Sequence, residues 1–291
     1  MKMSLLDLNA KQVDVFLKKY FNKQPPSKLI FPMKYGSLAG GKKIRSSIII
    51  SAGKLFNISQ NKLLNICIAV ECIHSYSLIH DDLPCMDNDK VRRGKPATHV
   101  KFGESTSILA GNSLLTLAFE MIVDKNYKIE NFSKVLLVNA LAFCSGHVGI
   151  AGGQYLDLNF EKKKKKVSDI LNMQRMKTGK LFNFCCFAAG VVAKKKPQEL
   201  RSLSQLGEDI GLLFQLADDF IDIKGTKKIA GKPTMKDQKK GKSTLISLIG
   251  YQKAYTYAER LKKKILSKLK KHGKKAKDLI KIVDFILERN F

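Results

Sequence analysis

The sequence lacks a membrane-spanning run, a secretory signal and the cysteine pattern of a structural zinc site. No run approaches the roughly 18 uncharged apolar residues of a membrane-spanning helix, and the N-terminal segment scatters charges among its apolar residues, unlike a secretory signal. Cysteines with the paired spacing of a zinc site are also missing. We therefore expect a cytoplasmic protein without stable membrane insertion and with reduced, buried thiols at Cys67, Cys72, Cys85, Cys144, Cys185 and Cys186.

A sustained alternation of apolar and polar residues is missing as well, which disfavours a strand-rich fold. Apolar residues instead recur at positions i, i+3, i+4 and i+7, as in segments 61–80, 105–123 and 202–223. Composition does not change across the breaks between such segments, so we predict an all-α helical bundle that forms one domain over residues 1–291. The predicted breaks between helices fall near residues 22–27, 125–129, 160–166, 194–197, 224–242 and 271–277.

Arginine is scarce in a chain that is otherwise strongly basic. The formal net charge is +28, yet seven of the 53 basic residues are arginine and 46 are lysine. A charge of this size favours an anionic partner, which can be a nucleic acid, a membrane surface or a phosphorylated substrate. The lysine bias itself suggests an AT-rich genome, and the runs 162–166 and 194–196 are typical of solvated surface lysines. Three arginines lie beside the motifs described next, where a planar guanidinium is hard to replace: Arg45, Arg92 and Arg93.

The first of these motifs is an aspartate cluster at the end of a long apolar helix. Asp81, Asp82 and Asp87 surround Pro84, which removes a backbone donor and loosens the helical turn. If the intervening residues bulge out, the carboxylates converge. Converging carboxylates need a positive partner, and oxygen ligands suit Mg²⁺ that also binds substrate phosphates. An acidic helix end is the equally simple alternative for this cluster alone.

A second aspartate cluster lies in another apolar run. Asp218 and Asp222 are four residues apart, so they share one helix face and could bind one ion, with Asp219 beside them. An exposed helix end would explain this motif by itself. Two such clusters in one helical chain, both where the pattern predicts burial, favour a metal site.

Basic residues complete the pattern. A glycine pair precedes Lys42 and Arg45 at a predicted helix start, where backbone amides and cations could hold a diphosphate. Lys177 and Thr178 interrupt an apolar helix with groups suited to phosphate oxygens, although a polar stripe would look the same. A lysine-rich loop that contains Lys232 and Lys242 follows the second aspartate cluster.

Taken together, these motifs resemble the short-chain trans-isoprenyl diphosphate synthases, and among them the bacterial farnesyl and plant-type geranylgeranyl enzymes. The likeness runs from about residue 35 to 244 and includes the GGKxxR turn, both DD motifs, the RRG triplet at 92–94, GQYLDL at 153–158 and Gln215. It implies a single polyprenyl synthase domain, a helical bundle around a central cavity, and a homodimer that acts on isopentenyl and allylic diphosphates without a nucleic-acid partner. Two residues depart from the family pattern: Ser46 stands where proline is common, and Met235 where glycine is common.

The resemblance also implies roles for individual residues. Three Mg²⁺ ions would be bound by Asp81, Asp82 and Asp87 on one side and by Asp218 and Asp222 on the other, with Asp237 further out. Catalysis would depend on Asp81, Asp82, Asp87, Asp218 and Lys177. The allylic diphosphate would be held by Arg92, Lys177, Thr178, Gln215, Lys232 and Lys242, and isopentenyl diphosphate by Lys42, Arg45, His74 and Arg93. For His74, an ordinary core histidine is the alternative.

Product length is predicted from Tyr76. It precedes Asp81 by five residues, slightly more than one helical turn, so its ring can close the tunnel into which the product tail grows. In the resembling family a bulky aromatic residue at this position, together with the Pro84-Cys85 insertion, goes with a farnesyl product. Geranylgeranyl diphosphate synthase is the alternative for the product, and for Tyr76 itself the alternative is an ordinary core tyrosine whose hydroxyl bonds to a neighbouring helix. Other hypotheses are a terpene cyclase, an inactive regulatory subunit, and a non-catalytic helical protein that binds RNA or a membrane.

Overall fold

Helices form nearly all of the regular structure in the computed structural model of the protein, which describes residues 4–161, 163, 165–224 and 244–288. Their bounds are α1 Leu5–Asn22, α2 Ile30–Ser37, α3 Ile44–Lys54, α4 Leu64–Asp81, α5 Thr98–Phe102, α6 Glu104–Val123, α7 Asn131–Ser145, α8 Ile150–Phe160, α9 Val167–Gln174, α10 Lys180–Val192, α11 Pro197–Lys224, α12 Leu245–Ile249, α13 Tyr251–Lys270 and α14 Lys277–Glu288. Short 3₁₀ helices span Gln60–Leu63 and Gly273–Ala276, and a π-helix joins α9 to α10 at Arg175–Gly179. The predicted all-α class is confirmed.

Local sequence explains several helix boundaries. The Ser4 hydroxyl accepts a hydrogen bond from the Asp7 amide at 3.2 Å, and the Asp7 carboxylate accepts one from the Ser4 amide at 3.3 Å, so a capping box begins α1. Gly103, with φ of +85°, separates α5 from α6, and Gly250, with φ of +81°, separates α12 from α13. These backbone conformations suit glycine because it has no Cβ. The chain can therefore change direction sharply between consecutive helices.

One short β-hairpin interrupts the helices of the described residues. Strand β1 (Val91–Arg92) pairs antiparallel with β2 (Lys95–Pro96), and the connecting residues Arg93 and Gly94 have φ of +52° and +74°. Positive φ at both central residues is the requirement of a tight type I′ hairpin turn. The hairpin places two adjacent arginines at a reversal of the chain, and the helical pattern of the sequence did not predict it.

The core is built around α4, which packs on α3 and α6, and around α10 and α11, which pack on each other. Five consecutive residues of α4, residues 66–70, are fully buried, so neighbours surround this helix on every side. The cysteines were predicted to be buried, and five are. Cys85 is exposed, because it lies in the loop after α4 and not on a helix face.

Three spans are long and apolar enough to cross a membrane by length and composition, so the lack of long uncharged apolar runs does not by itself exclude a membrane-spanning helix. They are Gln60–Asp81, Glu104–Val123 and Asn131–Phe160. None of them is an uncharged apolar run, because each is interrupted by a few charged or polar residues. Of the most apolar window, 61% is buried inside the protein in the first span but 33% in the third. Apolar surface is therefore left open on the helices of the third span.

Candidate active site

The first aspartate cluster surrounds the end of α4. This helix ends at Asp81, and the loop that follows turns back: the Asp87 amide donates to the Asp81 carbonyl at 2.8 Å, and the Asp89 amide to the Asp82 carbonyl at 3.1 Å. Pro84 lies at the outer part of this loop, where it is exposed and has no amide to satisfy. The backbone bonds bring Asp87 back beside Asp81, although six residues separate them in sequence.

The electrostatic environment of Asp81 reflects this convergence. The pKa of Asp81 is raised to about 6, chiefly by burial and also by the charges of Asp87 and Asp82, while the charges of Lys177 and Arg92 oppose the shift. A carboxyl group with this pKa is one that a cation would help to keep ionised. The influence of Lys177 also shows that the π-helix between α9 and α10 faces the end of α4.

Asp82 is paired with the first hairpin arginine. Asp82 is 2% exposed, and its carboxylate accepts hydrogen bonds from Nε and Nη2 of Arg92, the Nε bonds measuring 3.0 and 3.2 Å. Asp89 lies 3.6 Å from the same guanidinium. Burial raises the pKa of Asp82, and the hydrogen bonds from Arg92 oppose this shift. The structure thus joins a predicted metal ligand directly to a predicted diphosphate ligand.

The second aspartate cluster lies near the end of α11. Asp218 is half-buried, and Asp222, one turn later, is buried. Asp219 accepts hydrogen bonds from the amides of Gln174, at 2.8 Å, and Gln215, at 2.9 Å. These two bonds fix Asp219 against α9 and within α11. The sequence analysis missed Gln174, for which no motif provides a signal.

The π-helix presents two consecutive residues to different neighbours. Lys177 Nζ lies 2.6 Å from the Asp157 carboxylate on α8, and the Thr178 hydroxyl donates to Gln215 Oε1 at 2.8 Å. A Cβ at Gly153 would lie 2.1 Å from the Lys177 amide nitrogen, so α8 touches the π-helix backbone. Gly153 and Asp157 belong to the GQYLDL string, to which the sequence analysis gave no individual role.

Predicted isopentenyl diphosphate ligands gather at the start of α3. Gly40, Gly41 and Lys43 have φ of +89°, +101° and +43°, which makes the glycine turn tight. The second hairpin arginine, Arg93, donates to the Gly40 carbonyl, and a Cβ at Gly41 would lie 2.7 Å from its guanidinium carbon. Arg92 and Arg93 therefore point toward different parts of the site. Lys42 extends toward α14, with Nζ 4.0 Å from the centre of the Phe285 ring.

Arg45 lies deeper in the same basic region. Its guanidinium carbon is 4.9 Å from the centre of the Phe182 ring, and its Nε is buried and makes no hydrogen bond to any residue that the structure describes. Burial lowers the pKa of Arg45, and the charges of Glu71 and Asp218 oppose this shift. Arg45 is therefore close enough to Asp218 for their charges to interact.

His74 faces several of these cations. Its pKa is lowered well below the ordinary value, first by burial and then by the charges of Arg45, Arg93, Lys43 and Arg92. The ring is therefore neutral at pH 7. As a neutral ring, His74 can donate a hydrogen bond to a diphosphate oxygen but adds no positive charge.

Tyr76 lies two residues closer to Asp81 than His74 does and is half-buried. Its ring packs edge to face against His80, with the ring centres 5.6 Å apart. His80 in turn touches α6, because a Cβ at Gly111 would lie 2.2 Å from its Nε2. Within the described part of the chain, the Tyr76 hydroxyl has no hydrogen-bond partner. The alternative in which this hydroxyl is tied to a neighbouring helix gains no support.

Other predicted site residues are not brought into the described site. Lys232, Asp237, Lys242 and Met235 lie outside the described residues. Within residues 4–161, 163, 165–224 and 244–288, no three His, Cys, Asp or Glu side chains are close enough to hold a metal ion by themselves. The two aspartate clusters form two acidic walls, one at the end of α4 and one on α11.

A model of the polyprenyl synthetase family matches residues 26–283, which include both aspartate clusters and the whole basic region. The chain belongs to the polyprenyl synthetase family. It is 37% identical to a farnesyl diphosphate synthase of Escherichia coli, over 98% of each chain. It is also 35% identical to a geranylgeranyl diphosphate synthase of Cyanophora paradoxa, over 96% of this chain and 93% of the relative.

Solved structures extend this polyprenyl synthetase assignment to the fold. An FPP/GFPP synthase from Zymomonas mobilis superposes with a TM-score of 0.86 at 34% identity, covering 97% of this chain and 98% of the other. A geranyltransferase from Helicobacter pylori, crystallised as a complex with magnesium and isoprenyl diphosphate, superposes with a TM-score of 0.81 at 28% identity, covering 99% and 98%. The family resemblance seen in the sequence is confirmed.

Proposed function

We propose that the protein is a Mg²⁺-dependent farnesyl diphosphate synthase, which condenses isopentenyl diphosphate with dimethylallyl or geranyl diphosphate. The observation that carries this proposal is the separation of two kinds of site within one family fold. The acidic walls on α4 and α11 suit a metal-bound allylic diphosphate, whereas the basic region at the start of α3 suits a second diphosphate. A terpene cyclase would have no use for that second region.

Magnesium fits the acidic walls by the chemistry of their donors. Asp81, Asp82, Asp87, Asp218 and Asp222 offer carboxylate oxygens, which Mg²⁺ prefers, and the raised pKa of Asp81 indicates a carboxyl group that a cation would favour in its ionised form. The relative from Helicobacter pylori was solved with magnesium and isoprenyl diphosphate, which supports the same metal here. We propose three ions per site. When bound, they would neutralise the charge of the departing diphosphate.

The residues of the chain perform the remaining steps. Lys177, Thr178, Gln215 and Arg92 hold the allylic diphosphate while its C1–O bond breaks, and they stabilise the anion that leaves. The isopentenyl double bond, held by Arg45 and its neighbours, attacks C1 to form the new C–C bond. A proton is then lost from the adduct to the released diphosphate. Apolar helices exclude the water that would otherwise capture the allylic cation.

The product and the assembly follow from further residues. Tyr76 favours a fifteen-carbon product because its ring lies half-buried one turn before Asp81. Geranylgeranyl diphosphate is the alternative product, consistent with the relative from Cyanophora paradoxa. We also propose one polyprenyl synthase domain over residues 1–291, a homodimer, and action in the cytoplasm.

Product analysis tests this function directly. Purified protein should convert geranyl and isopentenyl diphosphates to farnesyl diphosphate with Mg²⁺, and EDTA should abolish the reaction. Asp81→Asn and Asp218→Asn should each lower kcat by about 100-fold or more, because the loss of a charged group that stabilises the transition state has effects of this order. Asp7→Asn, at the exposed start of α1, is the control. Wild-type rates in both site variants, or cyclic products without isopentenyl incorporation, would contradict the proposal.

A further inference from the structure

A buried carboxylate lies beside the basic region at the start of α3. Glu71 of α4 is 2% exposed, and its Oε1 accepts two hydrogen bonds from Ser46 of α3, one from the hydroxyl at 2.7 Å and one from the amide at 3.3 Å. Its other oxygen, Oε2, lies 3.6 Å from Lys43 Nζ. Glu71 is therefore fixed to the first turn of α3 by three polar contacts.

Lys43 is committed to this network. Its side chain is buried, and Nζ donates to the Ser37 carbonyl at 2.7 Å and lies 3.6 Å from the Asp14 carboxylate. An ammonium group bound in this way cannot reach into the site. Lys42 and Arg45, which precede and follow it closely, are the residues proposed to contact diphosphate. Lys43 thus anchors the turn on which both of these cations are carried.

The charge of Glu71 also reaches the arginines. The pKa of Arg45 is lowered by burial, and Glu71 is the foremost charge that opposes the shift. The Arg93 side chain keeps some contact with solvent, but partial burial lowers its pKa. The charge of Glu71 again opposes this shift. Mutual repulsion would drive such closely placed cations apart, so a buried anion beneath them keeps them together.

We propose that Glu71 and Ser46 are positioning residues for the homoallylic diphosphate, acting through Lys43 and the first turn of α3. This inference rests on the proposed function, because it deepens the account of the isopentenyl site. Neither residue touches the substrate. Glu71 supplies the counter-charge, and Ser46 fixes the orientation of that carboxylate so that Lys42, Arg45 and Arg93 keep their relative positions.

Ser46 makes this network testable, because it can be changed in steps. It is the third residue of α3, where the amide has no acceptor within the helix, so proline is sterically acceptable there. Ser46→Ala removes the hydroxyl donor, and Ser46→Pro removes both donors. The next residue provides a matched control: Ser47 is also fully buried, and its hydroxyl makes no hydrogen bond to any described residue.

The experiment measures steady-state rates with each diphosphate varied in turn while the other is saturating. Ser46→Ala should raise KM for isopentenyl diphosphate about threefold to tenfold. This is a fraction of the effect of losing a hydrogen bond to a charged group, because Ser46 acts through other residues. Ser46→Pro should raise the same KM further. KM for geranyl diphosphate and kcat should stay within about twofold of the wild-type values. Ser47→Ala should leave all three constants unchanged.

A second variant addresses the charge itself. Glu71→Gln keeps the size of the side chain but leaves Lys43 with a weaker partner, so KM for isopentenyl diphosphate should rise at least as much as in Ser46→Ala. Thermal unfolding of each variant checks that the fold is intact.

The possible failures can be told apart. If the wild-type protein does not incorporate isopentenyl diphosphate, the proposed function fails and this inference fails with it. If the wild type is active but Ser46→Ala and Ser46→Pro behave like Ser47→Ala, this inference alone is wrong. An equal rise in both KM values, or a loss of kcat alone, would indicate a general structural role and would also overturn it.

Discussion

Partly buried ion pairs hold several side chains of the site in defined positions. Asp82 is paired with Arg92, and Asp157 with Lys177. Taking charges out of water is costly, so such pairs contribute less to stability than to fixing where each group points. The first pair joins the loop after α4 to the hairpin, and the second joins α8 to the π-helix. They therefore align the acidic wall of α4 with the groups proposed to hold the allylic diphosphate.

Tyr76 is the residue on which we predict that product length depends. Its ring is wedged against His80, which itself touches α6, so the ring cannot easily swing aside. Tyr76→Ala should open an apolar space that accepts at least one further isoprene unit, since apolar cavities take up apolar groups readily. The main product should shift from farnesyl to geranylgeranyl diphosphate or longer, as measured by chromatography of the dephosphorylated products.

Tyr76→Phe is the matched control for this change. It keeps the ring and removes the hydroxyl, which has no partner among the described residues, so farnesyl diphosphate should remain its main product. An unchanged product distribution in a folded, active Tyr76→Ala protein would show that another residue closes the tunnel.

At the scale of elements, the π-helix and its contact with α11 shape the site. The wider turn at Arg175–Gly179 lets Lys177 reach α8 while Thr178 reaches α11. Such insertions in a helix are frequent at functional sites. The contact with α11 depends on glycine, because a Cβ at Gly211 would lie 2.7 Å from the Gly179 Cα and 2.9 Å from the Phe182 Cβ.

Gly211→Ala should therefore force α11 away from the π-helix. Backbone atoms cannot yield as a flexible side chain can, so we expect a loss of about 1–3 kcal/mol in the free energy of unfolding, as for other overpacked sites. The Thr178–Gln215 hydrogen bond should weaken, and KM for the allylic diphosphate should rise. Urea unfolding and steady-state kinetics measure the two effects.

Gly146→Ala is the control for the Gly211 variant, because an added Cβ there would meet only the Ala142 carbonyl oxygen, at 3.1 Å. It should unfold at a urea concentration closer to that of the wild type. Equal midpoints for the Gly211 and Gly146 variants would mean that α11 packs less tightly than the structure indicates.

Elements with strong periodicity were predictable from the sequence, and irregular ones were not. Three helices end at or next to a predicted break: α1 at Asn22, α8 at Phe160 and α13 at Lys270. The β-hairpin was missed because each strand has two residues, too few for an alternating pattern. The π-helix was missed because it depends on tertiary contacts with α8 and α11 and not on local composition.

Within the site, the residues that belong to a sequence motif could be predicted, but the residues that hydrogen-bond to their surroundings could not. The aspartates, Lys177 and the arginines stand out because charge in an apolar helix is unusual. Glu71 and Gln174 are also polar residues of apolar helices, but neither belongs to a cluster along the chain. Their importance appears when Ser46 and Asp219 are brought beside them by folding.

At the scale of the whole molecule, apolar side chains remain uncovered on α6, α7 and α8. Their exposed fractions are 42% for Ile108, 56% for Leu109, 71% for Phe132, 63% for Val135, 55% for Phe143 and 65% for Tyr155. Phe132, Val135 and Phe143 are spaced so that they share one face of α7. Apolar surface gathered in this way is typical of an interface with another molecule. A second copy of the chain is the occupant that the proposed homodimer requires.

A charge placed on this face should separate the two copies. Phe132→Glu would bury an unpaired carboxylate in the interface, which costs several kcal/mol unless the copies come apart. We expect the wild-type protein to sediment as a dimer and Phe132→Glu as a monomer. Phe31→Glu is the matched control, because Phe31 of α2 is 68% exposed but lies on a different element, and this variant should remain dimeric. Because the same helices are apolar enough to enter a membrane, flotation with anionic vesicles tests the other possible occupant. A wild-type protein that is monomeric in solution and floats with vesicles would show that this face binds lipid and not a second chain.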